Sequence, residues 1–245
     1  MSSTSETGHA KNVANLETLI SFCTGYGAAY NPNKPSLKLP ALNTLHTNSQ
    51  TALDDVAAVM PAYINAVNAR EIAFEPLSRL VTRVINALDA SNVPNQTVAD
   101  AKTYARKIQG RRSSPKIQDD PNTPEDESLN SISASQMSYD NRLANFNSLI
   151  QLLASLPAYA PNEADLTVAS LTALYTALQT ANSAVITAAT PVSSARIARN
   201  NVLYKPNTGL IDIVTDVKKY VKSVFGAVSP EYKQLSALKF KKIEI

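Results

Sequence analysis

The sequence predicts an all-α protein of two homologous helical-bundle modules, a tandem duplication of about four helices each, joined by a charged linker. Three observations predict it. Glycine is scarce, at 6 of 245 residues, where ordinary usage of roughly 7% would give about 17. A chain with so few sharp turns suits long helices better than many short strands. Apolar residues recur at helical spacings of three and four along most of the chain. The third observation is an internal repeat at a domain-sized offset.

The repeat opens with VANLETLI at Val13–Ile20 and LANFNSLI at Leu143–Ile150, an offset of 130 that keeps Ala14, Asn15, Leu19 and Ile20 identical. After a one-residue slip, Tyr30, Pro32 and Asn33 pair with Tyr159, Pro161 and Asn162. From Leu37 to Val56 the same register holds eight identities in twenty positions, among them Leu42/Leu171, Gln50/Gln179 and Val56/Val185. Arg70 still pairs with Arg199, and a second slip aligns Pro76/Pro206, Leu80/Leu210 and Val84/Val214. Beyond about residue 90 the match fades.

Within the first copy, Val13, Leu16, Leu19, Ile20 and Cys23 form one helical stripe, closed by Gly25, Gly27 and the Asn31–Pro35 run. Ser36 is the candidate N-cap of a long helix over about 37–72, with a kink or break expected near Pro61. Pro76 restarts a third helix on the Leu77, Leu80, Val81, Val84, Ile85, Leu88 face. Asn95 is read as the cap of a fourth, with Val98, Ala101, Ala105 and Ile108 inward. The second copy repeats the plan: Leu143–Leu156, then Asp165 to about Asn200, with Pro191 within one position of the place matching Pro61. Leu210, Val214, Val217 and Val221 carry its third helix, and Ser229-Pro230-Glu231 is a strong start for its fourth. These elements divide the chain into a polar N-terminal arm at 1–11, a first module at 12–110, a charged proline-containing linker at 111–138, and a second module at 139–245 with a strand-like C-terminal tail.

Composition excludes more chemistry than it supports. One cysteine, Cys23, rules out a disulfide within the chain. The polar start has no signal-peptide core, and no run of 18 apolar residues exists. A cytoplasmic location is expected, with export that needs no cleaved signal left open. Only two histidines are present; His9 falls in the polar arm, and His46 takes the place of Tyr175. Cys23 aligns with Leu153 on an apolar stripe and reads as a small buried hydrophobe. Gly25-Tyr26-Gly27 follows a helix and lacks the third glycine of a dinucleotide loop, so it reads as a helix end. No residue is assigned to catalysis, to a cofactor or to a metal, and the chain is expected not to be an enzyme.

Two features point outward. Residues 205–245 hold eight lysines against four carboxylate residues, and Lys218, Lys219 and Lys222 lie off the Val214/Val217/Val221 stripe. The closing KFKKIEI alternates Phe240, Ile243 and Ile245 with polar residues, a pattern that adds to another subunit or folds back on its own bundle. Together these six residues form the candidate interaction surface. Arginine, the preferred phosphate fork, is missing from the lysine face, so nucleic acid is set aside. The expectation is a non-enzymatic structural protein that self-associates into a homo-oligomer, filament or lattice. The alternatives are an adaptor for a protein partner and a membrane-active helical protein.

Overall fold

The computed structural model describes residues 4–111 and 137–243. The described chain is helical, with no strand among the described residues. In order the helices are α1 (Thr4–Gly25), α2 (Leu39–Phe74), α3 (Leu77–Asp89), α4 (Asn95–Gln109), α5 (Tyr139–Ala154), α6 (Val168–Tyr204), α7 (Leu210–Phe225) and α8 (Pro230–Ala237). Short 3₁₀ turns at Pro35–Leu37 and Ala164–Leu166 precede the two long helices.

Several expectations change at the element ends. The helix begins at Thr4, so residues 4–11 are not a loose polar arm. His9 is buried there, with its Nδ1 2.5 Å from the Tyr204 hydroxyl. Ser36 lies inside the 3₁₀ turn and does not cap α2. Asn95 is the first helical residue of α4, behind an N-cap at Pro94. Ser229 does cap α8, its hydroxyl accepting from Tyr232 N at 3.1 Å. The C-terminal residues 239–243 form no strand. Of the 111–138 linker, residues 112–136 lie outside the described residues, as does Ile245.

The long helices run through their prolines without a break, α2 past Pro61 and α6 past Pro191. Both prolines are exposed. A proline inside a helix removes one hydrogen bond and crowds the preceding turn, yet the helical assignment is continuous at both positions. At 1.5 Å per residue, the 36 residues of α2 extend about 54 Å. α1 and α3 place their buried side chains in different cores.

The compact units therefore do not follow the boundaries read from the sequence. One unit comprises residues 1–63 and 188–245 and the other comprises residues 64–187. The first unit holds α1, the start of α2, the end of α6, α7 and α8. Its core joins Val13, Leu16, Leu19, Cys23 and Leu42 to Leu203, Leu210, Val214, Val217, Val221 and Leu235. The second unit holds the end of α2, α3, α4, α5 and the start of α6. Its core joins Leu77, Val81, Val84, Leu88 and Ile108 to Leu143, Phe146, Leu149, Leu153, Leu171 and Leu178. Each core thus takes about half its side chains from 12–110 and half from 139–245. Burying a Leu, Val or Phe fully is worth roughly 1.5–3 kcal/mol, so neither stretch keeps its stability without the other.

Candidate interaction surface

The lysine face is carried by α7, whose opposite side buries Leu210, Ile213, Val214, Val217 and Val221. Gly209 is the N-cap of α7, and a Cβ there would lie 2.7 Å from the backbone of Lys205. Glycine at this point lets the chain turn tightly out of α6 into α7. Off the buried stripe, Lys218 is half-buried and its ammonium donates to the Leu238 carbonyl at 2.6 Å. The same ammonium sits 5.1 Å from the centre of the Phe240 ring. Burial, with Lys239 nearby, lowers its pKa from the ordinary lysine value. Lys219 is exposed and reaches Asp216 at 3.3 Å. Lys34 reaches the same carboxylate at 2.7 Å, and the two ammoniums hold Asp216 below the usual carboxylate range, Lys34 first. Lys222 is exposed, 5.7 Å from the Tyr232 ring.

The tail folds back on its own unit. Asn12 donates to the Lys241 carbonyl at 2.8 Å and accepts from Lys241 N at 3.0 Å. Asn15 donates to the Lys239 carbonyl at 2.7 Å. These two buried amides lie on one face of α1 and take the place of a neighbouring strand for the extended tail. Phe240 packs against the first core. Ile243 closes on α1 at Gly8, where a Cβ would meet its Cδ1 at 2.6 Å. Of the six residues singled out in the sequence, Lys218, Phe240 and Ile243 are engaged inside the first unit, while Lys219 and Lys222 keep exposed ammoniums.

The residues that reasoning from the sequence missed are polar ones facing inward. His9, Asn12 and Asn15 are buried beside the Leu16/Leu19/Cys23 stripe. In the second unit Asn182 is buried, donates to Asp140 at 2.7 Å and accepts from Arg70 at 3.1 Å. The Arg70 guanidinium stacks 3.9 Å from the Tyr139 ring centre. The available signal was spacing: 9, 12, 16, 19 and 23 continue one helical face.

Nucleophilic chemistry finds little purchase in these groups. The Cys23 thiol is fully buried, and burial pushes its pKa up to about 12. Tyr30 donates to the Leu37 carbonyl at 2.6 Å. Among the described residues no group of three or more His, Cys, Asp or Glu is placed to hold a metal ion. No helix among them is long and apolar enough to cross a membrane. Two shallow depressions open on the second unit, one around Arg83, Asn86, Tyr159 and Glu163, the other around Pro76, Arg79, Arg83 and Asp165.

These features define an all-α protein. Compared with known proteins, the chain matches no family model, no curated protein and no solved structure.

Proposed function

We propose that the chain is a tandem duplication of one four-helix module and acts as a non-enzymatic structural protein that self-associates, into a homo-oligomer, filament or lattice. The observation that carries this reading is the reciprocal make-up of the two units. Each combines the first helix and the start of the long helix from one copy with the end of the long helix and the last two helices from the other.

Contacts at positions paired by the repeat support the duplication. Tyr30 donates to the Leu37 carbonyl, and Tyr159 donates to the Leu166 carbonyl. His9 packs on Tyr204 at 5.5 Å between ring centres, and Tyr139 packs on Phe74 at 4.8 Å. Offsets of 130 relate His9 to Tyr139 and Phe74 to Tyr204. A chain with two like units offers like surfaces twice, the simplest basis for repeating head-to-tail contacts. Ile64, Ile72 and Ile197, all on the long helices and all more than two-fifths exposed, supply apolar area outside both cores. Placement in the cytoplasm belongs to the same reading.

Sedimentation velocity over a wide concentration range, with negative-stain imaging of the concentrated protein, tests the proposal. Mass rising with concentration, or ordered assemblies on the grid, is the expected result. A monomer at every concentration, with no assemblies, rejects it.

A further inference from the structure

Neither half of the chain can cover its own apolar faces. In the first unit, the Leu16, Leu19, Cys23 and Leu42 side chains from the first half are covered by Leu210, Val214, Val217 and Leu235 from the second. In the second unit, Leu77, Val81, Leu88 and Ile108 are covered by Phe146, Leu149, Leu153 and Leu171. The directed contacts follow the same rule. His9 with Tyr204, Asn15 with the Lys239 carbonyl, Tyr26 with the Glu231 carbonyl and Lys34 with Asp216 join one half to the other. So do Arg70 with Asn182, Arg142 with the Phe74 carbonyl and Arg83 with Asp165. These directed contacts add to the burial, because each joins a polar group of one half to a group of the other.

The covalent link between the halves runs through residues 112–136, outside the described residues. Gly110 and Met137 flank residues 112–136, and they are in contact within the second unit. A Cβ on Gly110 would lie 2.5 Å from Met137 Sδ. The link therefore leaves and returns at neighbouring points, and cutting it removes none of the contacts named above.

We propose that residues 1–111 and 137–245 are complementary binding surfaces, and that the partner each one fits is the opposite half of a second copy of this chain. The inference rests on the self-association reading and gives it a mode. A chain whose halves pair with those of a neighbour keeps every contact made within one chain. Mutual pairing closes a two-chain particle, and pairing with two different neighbours extends an open row. Pairing within one chain is favoured at low concentration, because the link holds the halves at an effective concentration of the order of millimolar. Refolding at high protein concentration therefore traps the exchanged form.

The test uses the full chain with a specific protease site placed between residues 112 and 136. Isotopically heavy and ordinary preparations are co-refolded at high concentration, diluted, cleaved, and weighed by native mass spectrometry. Separately refolded preparations mixed at the same dilution give the background. The expected result is a particle near the 26.3 kDa mass of one chain that contains one heavy half and one light half, above that background. Particles that are only all-heavy or all-light after co-refolding overturn the proposal. So do halves that separate on cleavage while the uncut chain stays folded. Sedimentation of the uncut sample distinguishes the two readings. Large species without hybrid particles remove exchange and leave self-association standing. Hybrids from an uncut sample that sediments as a two-chain particle and nothing larger keep the exchange and remove the filament or lattice.

Discussion

The two units place helices in the same roles and fill the paired positions with different chemistry. Cys23 in the first unit stands where Leu153 stands in the second, and both are buried. A histidine and a tyrosine share a hydrogen bond where the second unit packs a tyrosine against a phenylalanine. Asn12 reaches the Tyr204 hydroxyl and the tail, whereas Arg142, at the paired place, donates to the Phe74 carbonyl and lies 5.1 Å from its ring centre. The turn before each long helix is tied by an ion pair to the third helix of the opposite half, with the charges reversed. Lys34 meets Asp216, and Asp165 meets Arg83. The comparison teaches that like-placed helices in the two units are joined by different groups.

The largest way to test this reciprocity is through paired core residues. Leu16 and Phe146 occupy matching positions and are both fully buried. Leu16→Ala is expected to cost about 2–5 kcal/mol and Phe146→Ala about 3–5 kcal/mol in denaturant unfolding. Amide hydrogen exchange reads where the loss falls. Leu16→Ala should deprotect α7 and α8, in the other half of the sequence, and leave α3 and α4 protected. Phe146→Ala should do the reverse. Loss confined to the mutated residue's own half would show that 12–110 and 139–245 are the true units.

A smaller effect is expected where hydrogen bonding in one unit replaces aromatic packing in the other. Tyr204→Phe removes the hydroxyl that meets buried His9 and accepts from Asn12. The expected loss is about 1–3 kcal/mol, because a buried polar group loses a partner. Adding His9→Tyr imports the second unit's Tyr–Phe pair, and part of the loss should return. Denaturant unfolding of the two single variants and the double variant gives the coupling. Additive losses would show that the two positions are not interchangeable as a pair.

The helical stripes, the two long helices and the Ser229 cap were legible because each depends on neighbours within a few turns. The pairing of halves was not legible. The α1 and α5 stripes have the same period and similar residues, so α7 and α3 fit either one as judged by pattern alone. Core membership decides the matter, with α1 packed with α7 and α5 with α3. The place of Lys218 was not legible for a related reason. Lys218 answers a backbone carbonyl at Leu238, and backbone acceptors carry no sequence signature. His9, Asn12 and Asn15 were missed because a periodicity read from apolar residues passes over polar residues on the same face.

Alkaline pH separates the units through Cys23. Its pKa rises from 9.0 to about 12, chiefly through burial. The folded state holds the proton more tightly than the unfolded chain, so this contribution is complete below about pH 9 and is lost as pH climbs towards 12. Tyr26, raised to about 12 mainly by burial, adds a loss of the same sign in the first unit. Tyr159, also raised to about 12 by burial, acts in the second. Between pH 9 and 11 wild type should therefore lose more unfolding free energy than Cys23→Leu, which carries the second unit's residue. Equal pH slopes for the two proteins would remove the thiol as a source of the difference between units.

The smallest effect is expected at the reversed ion pairs. Asp216 is held below its ordinary value first by the hydrogen bond from Lys34 and then by Lys219. A depressed carboxylate contributes above its unfolded value, near 3.8, and the contribution is lost as pH falls through the lower folded value. The Lys34 side chain is about half exposed, so solvent screens the pair and its contribution is roughly 0–1 kcal/mol. Lys34→Met should lower stability by no more than that at pH 7, and by progressively less as pH falls below 3.8 and Asp216 gains its proton. The Arg83–Asp165 pair, which lowers the Asp165 pKa in the same direction, should respond to acid with the same sign when Arg83→Met is compared with wild type. An acid response of opposite sign at the two sites would mean that they are not counterparts, because reversing which helix carries the charge leaves the proton linkage of the carboxylate unchanged.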